Sequence, residues 1–321
     1  MSVGRLALEE LGIPVEKYYA SEIDKFAIKV SQANFPDTVQ VGDVKDLWPG
    51  DYKNIDLVLC GSPCQGFSVA GKKLAFDDPR SALFFEFIRI LKEVKPKYFL
   101  LENVRMKQEW LDIITGYVSD CYPDYKGGND MFSNRIEPIM INSSLVSAQS
   151  RKRYYWTNIP NVSIPEDRNL FLSDVLEDGF VSERDKSHCI TATYYKGANI
   201  KDYLTKSRRQ LVNKPKGMVG GALRSRSFNK DGKHVGWKTT KPRQTLELRK
   251  DNKSNAISTA QKDSVVVDDN LAWRMLKPIE VERLQTVPDN YTNHVSNTQR
   301  YKMLGNSFTN EVIKHILKNL I

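Results

Sequence analysis

Four cysteines in 321 residues are too few and too scattered to form a disulfide framework. They are Cys60, Cys64, Cys121 and Cys189, and the Cys60/Cys64 pair has no second Cys or His pair near it in sequence. That spacing argues against a zinc site, and no metal is expected. No apolar run reaches the length needed to cross a bilayer, and no basic, apolar, small-residue leader opens the chain. These absences point to a reducing cytoplasm rather than to secretion or a membrane. What the chain does have is 40% hydrophobic residues, enough for one large or two moderate domains with a core. Lys and Arg number 48 against 39 Asp and Glu, a net charge of +9, which fits a polyanionic partner.

Along the first half, strand-like and helix-like segments alternate. Helical spacing falls at 5–12, 25–34, 83–94 and 109–119, and strand character at 17–21, 39–41, 55–60, 98–101, 136–141 and 153–156. The alternation predicts an α/β fold, a doubly wound and mostly parallel sheet. After residue 160 the pattern breaks. Residues 161–272 are rich in Lys, Arg, Ser, Asn and Gly, with short β segments between basic loops, and read as a second, smaller domain. Within it, 186–192 and 253–260 resemble each other. Helical character returns after 271, so 273–321 is expected to rejoin the first domain, 1–160.

The most informative stretch is 61–68, Gly-Ser-Pro-Cys-Gln-Gly-Phe-Ser, directly after the apolar run 55–60. A thiol just past a strand end lies where open α/β sheets place their chemistry. Pro63 stiffens the chain around Cys64. A lone cysteine is most often a small buried hydrophobe, and Cys60 reads that way. For Cys64 the local sequence leaves packing and reactivity equally open, because a thiolate needs an electropositive setting that one peptide does not reveal.

Glu22, Asp43 and Glu102 each follow a predicted strand directly. In a parallel sheet such positions share one edge, where ligands bind. Taken singly, each is only an acid at a helix start, favoured by the helix dipole; three of them beside Cys64 favour a site.

Several ordered blocks together resemble the DNA cytosine-5 methyltransferase family. They are 61–68; Glu102-Asn103-Val104; Gln149-Ser150-Arg151-Lys152-Arg153; 274–285, Arg-Met-Leu-Lys-Pro-Ile-Glu-Val-Glu-Arg-Leu-Gln; and Gly305-Asn306-Ser307. In isolation 151–153 is a solvated basic run and 305–307 a turn and N-cap before the last helix; only their joint order raises them. The resemblance implies the S-adenosylmethionine-dependent methyltransferase fold and a sequence-specific, base-flipping enzyme acting on double-stranded DNA. It implies Cys64 as nucleophile at cytosine C6, Glu102 at the N3/N4 edge, Arg151 holding the base, and Arg153 supporting it. For the methyl donor, S-adenosylmethionine, it implies Gly4, Glu22 and Ile23, Asp43 and Val44, and Asn306 and Ser307. Residues 161–272 stand where the family has its target-recognition region. Arg208, Arg209, Arg224, Arg226, Lys230, Lys233, Lys238, Lys241 and Arg243 would supply charge for phosphates there. Residues 194–197 read as an aromatic-basic contact or as a strand and turn. The loop 65–80 would be a mobile cover. A monomer is expected, in the cytoplasm of a bacterium or phage-infected cell, alongside a paired restriction endonuclease.

The sequence departs from the family at its beginning. The family's first strand and its F-x-G-x-G turn are absent before Gly4, so strands beside that position are expected to be unpaired. A start upstream of Met1 is the favoured explanation. The alternative is a DNA-binding remnant with weak or no cofactor binding, and a third reading is an RNA methyltransferase, since one branch of the family modifies transfer RNA.

Overall fold

A computed structural model describes residues 1–61, 82–126, 134–177, 180–182, 184–197, 200, 203, 206, 209–213, 219–228, 234–235, 243–248, 265–267 and 273–321. They divide into two compact units. The larger holds Met1–Val175, Arg184–Gln210 and Leu276–Ile321, and the smaller holds Leu176–Glu183 and Leu211–Met275.

In the larger unit, helix α3 (Ala82–Val94) carries Phe84, Phe87, Ile88 and Leu91 on one stripe. Helix α4 (Gln108–Ser119) carries Leu111, Ile114 and Val118 likewise. Both stripes pack against Phe99 and Leu101 of strand β4 (Tyr98–Val104) and Trp156 of β6 (Lys152–Thr157). Each fully buried large apolar side chain contributes about 1.5–3 kcal/mol. Because strand residues alternate in direction, Leu100 faces the opposite layer. There it meets Ala7 and Leu8 of α1 (Val3–Glu10), and Val312, Ile313, Ile316 and Leu317 of α7 (Asn310–Leu317). Helices thus cover both faces of a four-stranded sheet ordered β3-β4-β6-β5, with β3 at Leu57–Gly61 and β5 at Ile139–Asn142.

The expected α/β sheet is present with two corrections to its detail. First, the sheet is mixed rather than mostly parallel. β3 and β4 are parallel, joined through α3, whereas β6 runs antiparallel to both β4 and β5. The 143–151 connection is too short for the crossover that a parallel β5–β6 pair requires. Second, β1 (Tyr19–Ser21) and β2 (Val39–Gly42) form a separate parallel pair on either side of α2 (Lys25–Asn34). Among the described residues β1 pairs only with β2, and β3 only with β4. Accordingly, Leu57 to Cys60 of β3 are only partly buried, while 99–103 of β4 are all buried.

The unit boundary also departs from the expected 161–272 domain, since 161–175 and 184–210 lie with the larger unit. Backbone bonds tie Ser187 to Ala148 and Ser150. Lys186 Nζ donates to the carbonyls of Ser144, Ser147 and Leu170. Residues 194–196 form a single 3-10 turn rather than a strand. Tyr194 is a core residue whose hydroxyl donates to Gln210 O and accepts from Leu276 N.

The smaller unit is built from short strands. β8 (Val219–Phe228) is flanked antiparallel by β10 (Arg243–Leu248) and β11 (Val265–Val267), and β9 (His234–Val235) pairs its far end. β7 (Leu211–Asn213) and β12 (Trp273–Met275) form a second antiparallel pair. Arg274 anchors the latter, its guanidinium lying 4.0 Å over the Phe180 ring and bonding Glu177 O. Residues 253–260 lie outside the described residues.

Candidate active site

The tips of β3 and β4 build the centre. Gly61 is the register partner of Glu102, and Glu102 faces Tyr155 of β6. Arg153, two residues before Tyr155 and therefore on the same side of the sheet, sets its Nε 2.9 Å from Glu102 Oε1. Both side chains are largely buried, so the pair is shielded from solvent. Glu102 Oε1 nonetheless accepts no aligned hydrogen bond among the described residues. A carboxyl oxygen is thereby held beside a guanidinium in a low-dielectric setting. A methyl group at Gly61 would lie 3.1 Å from the Phe308 ring, which would have to give by a few tenths of an ångström, and in ordinary contact at 3.6 Å from Glu102 Oε2. Cys60, one residue before, is not a nucleophile in this setting: burial, and then the Glu102 charge, push its thiol up to about 12. Burial also raises the Tyr155 hydroxyl, which stays protonated.

Arg151, expected at the base, has its guanidinium among backbone carbonyls. It is 3% exposed, and its guanidinium donates to the carbonyls of Ile190 and Gly305 at 3.2 Å and of Ser307 at 2.9 Å. Gln149 and Gln285, the latter the C-cap of helix α5 (Pro278–Leu284), reinforce the same region. Gln149 spans Leu284 O and Ile190 N, while Gln285 donates to Leu304 O and accepts from Thr309.

On the cofactor side, Ser21 and Gly42 are register partners, so Glu22 and Asp43 follow side by side at one edge. Glu22 Oε1 accepts from the Ile23 and Asp24 amides, and Asp43 Oδ1 accepts from Lys45 N. Arg89 fixes the loop after Asp43 through the carbonyls of Val44 and Leu47. Ile23 is 74% exposed, an apolar platform beside two carboxylates. These carboxylate acceptors fit the hydroxyls and amine of a nucleoside, with the exposed apolar side chain beside its base. Gly4 lies inside α1, where a Cβ would collide with the Leu59 side chain.

Gly305 and Asn306 are not a free turn, as the sequence suggested, but the last turn of a helix, α6 (Asn297–Asn306), with Ser307 as its C-cap. Asn306 is exposed and Ser307 buried. Lys302, one turn earlier, pairs with Asp24 at 2.9 Å and so ties this helix to the chain just after Glu22. That contact, which holds Asp24 below its ordinary value despite burial, was not legible in the sequence. Nor was Phe308 at Gly61. Cys64, the loop 65–80, Arg208, Lys230, Lys233, Lys238 and Lys241 lie outside the described residues. Arg209 donates to Gly197 O in the larger unit. In the smaller unit Arg226 is the register partner of Arg243, with Arg224 two residues along.

Comparisons with known proteins give the family and the fold. The family model for C-5 cytosine-specific DNA methylase matches residues 3–116 and 130–321. The type II methyltransferase M1.ScrFI of Lactococcus lactis subsp. cremoris is 32% identical over 318 residues, covering 96% of this chain and 72% of that one. M.HhaI of Haemophilus parahaemolyticus is 27% identical, covering 98% and 90%. Among solved structures, Entamoeba histolytica methyltransferase EhMeth aligns with a TM-score of 0.63 at 16% identity, over 99% of this chain and 94% of that chain. A Spodoptera frugiperda DNMT2 mutant aligns at 0.58 and 21%, over 99% and 96%. The chain belongs to the C-5 cytosine-specific DNA methylase family.

Proposed function

We propose that the protein is a sequence-specific DNA methyltransferase that methylates C5 of a cytosine turned out of the duplex, through a covalent bond between Cys64 and C6. The observation that carries this reading is the buried Glu102–Arg153 pair beside Gly61, three residues before Cys64 in sequence. Cytosine C5 is a poor nucleophile. Addition of the Cys64 thiolate to C6 moves the C5–C6 electron pair onto C5, and the Glu102 carboxyl, by giving a proton or hydrogen bond to N3, offsets the negative charge that develops across the ring. Arg153 keeps Glu102 oriented and balances its charge. S-adenosylmethionine, when bound, supplies the methyl group that C5 takes. Loss of the C5 proton then restores the double bond and expels the thiolate. The base reaches the site only by leaving the stack.

Glu22 and Asp43 are assigned to the nucleoside hydroxyls and amine, with Ile23 and Val44 as its apolar walls and Asn306 and Ser307 closing from α6. The smaller unit is assigned to target recognition. Arg224, Arg226 and Arg243 occur at neighbouring register positions, and such a concentration of positive charge favours phosphate contact over a neutral partner. We place the enzyme as a monomer in the cytoplasm of a bacterium or phage-infected cell, with a restriction endonuclease as its counterpart, as the type II names of its relatives fit. The remnant reading is not favoured, because the family match takes in both the cofactor edge and the C-terminal return.

The test is incubation with methyl-labelled S-adenosylmethionine and mixed-sequence double-stranded DNA or RNA. Label at cytosine C5 of DNA, lost in Cys64→Ser, is the expected result. Turnover retained in Cys64→Ser, or label confined to RNA, overturns the proposal.

A further inference from the structure

Two arginines lie two residues apart, and the fold gives them different surroundings. Arg153 faces Glu102. Arg151 has no carboxylate within reach among its described contacts; three backbone carbonyls surround it, with Cys189 Sγ at 3.6 Å. A charge buried this deeply without a counter-ion is costly unless its donors are satisfied. Carbonyls take up both terminal nitrogens while Nε stays buried without an acceptor among the described residues, and they come from two segments: Ile190 from one, Gly305 and Ser307 from the end of α6. The same two segments touch backbone to backbone, since a Cβ on Gly305 would lie 2.2 Å from Thr191 C and 2.3 Å from Ala192 N. The planar fork of a guanidinium sends donors in divergent directions, which a single ammonium does not. Drawing in the carbonyls on either side of residue 306 leaves the Asn306 side chain exposed. Lys302 fixes the other side of that helical turn to Asp24.

We propose that Arg151 is a positioning residue: a buried carbonyl clamp that locks the end of α6 to the 189–192 segment and so sets where Asn306 stands toward the methyl donor. It does not hold the base. This rests on the assignment of Asn306 to the cofactor site made above.

The experiment compares Arg151→Lys, Asn306→Ala and Arg153→Lys with wild type. Hydrogen exchange is followed by mass spectrometry, together with S-adenosylhomocysteine binding and steady-state kinetics. In Arg151→Lys, amides at 189–192 and 304–310 should exchange at least about tenfold faster, a loss of some 1.4 kcal/mol of local protection, while those of β4 do not change. Cofactor affinity should fall by a similar factor, and the pH profile of kcat should keep its position. Asn306→Ala should lose the same affinity without the change in exchange. Arg153→Lys should instead displace the pH profile. Unchanged exchange in Arg151→Lys overturns the clamp. Faster exchange with undiminished cofactor affinity overturns its link to Asn306. A collapse of kcat with a displaced profile and normal affinity would put Arg151 on the base. If wild type binds no S-adenosylhomocysteine, the cofactor assignment fails, and exchange alone judges the clamp.

Discussion

Replacing Gly305 by alanine should destabilise the protein, although the same change in a helix normally stabilises it. Within helices Ala is favoured over Gly by about 1 kcal/mol. Gly305 lies in the last turn of α6 without a positive φ, so conformation alone predicts that gain. Space reverses it. The added methyl would sit 2.2–2.5 Å from three backbone atoms of Thr191 and Ala192, which cannot rotate away. Relief requires the 189–192 segment and α6 to part by about 1 Å, and overpacking of this kind costs roughly 1–3 kcal/mol. Parting them also lengthens the bonds from Arg151 to Ile190 and Gly305, each charge-assisted and contributing about 1.5–3 kcal/mol when well made. After the propensity gain is subtracted, a net loss of about 2–4 kcal/mol remains, which for a chain of this length lowers Tm by roughly 4–8 °C. Gly116, inside α4, is the control, because a Cβ there meets nothing within 4 Å. Gly116→Ala should raise Tm by about 1–2 °C. Differential scanning calorimetry of both variants decides the matter. A Gly305→Ala protein as stable as wild type would refute the close approach.

Other outcomes follow from the same structure. Glu311 accepts from Lys314 and Arg168, and although burial opposes them these partners hold its carboxyl below its ordinary value of 4.5. A depressed folded pKa contributes stability that is fully present above pH 4.5 and is lost as pH falls through the folded value. Glu311→Gln should therefore cost about 1–2 kcal/mol at neutral pH, and the gap to wild type should close on acidification in a series of thermal melts. With its thiol near 12, Cys60 is about one part in ten thousand thiolate at pH 8. Iodoacetamide should leave it unmodified in the native protein while labelling Cys64, as peptide mass spectrometry will show; rapid labelling of Cys60 would contradict its raised thiol value. Arg226→Ala should weaken DNA binding at all sequences alike and reduce the slope of log affinity against log salt by about 0.9, measured by fluorescence anisotropy across a salt series. An unchanged slope would remove Arg226 from the phosphate contacts.

Much of this protein is written in short-range pattern. The stripe Phe84, Phe87, Ile88, Leu91 specifies α3 because those spacings lie on one helical face. The apolar run before Gly61 specifies β3, and the acids Glu22 and Asp43 directly after the parallel strands β1 and β2 share an edge, whereas Glu102, expected after its strand, falls inside β4 as the register partner of Gly61. Helix α6 was missed because it carries little amphipathic signal: only Arg300, Met303, Leu304 and Gly305 are buried along it, and its role comes from what it touches. The 184–210 segment looked like part of a second domain because its composition is polar. It joins the first through carbonyls and amides, which composition does not report.

The sequence by itself determined the alternating fold, the family, and the candidate residues Glu22, Asp43, Glu102 and the two arginines. Only tertiary structure decided how the arginines divide their work. Residues two apart share a strand face in sequence terms, but Arg151 precedes β6 and turns into the clamp, while Arg153 stands within the strand beside Glu102. Which partner each meets depends on segments more than 30 and 150 residues away that close on them only when the chain is folded.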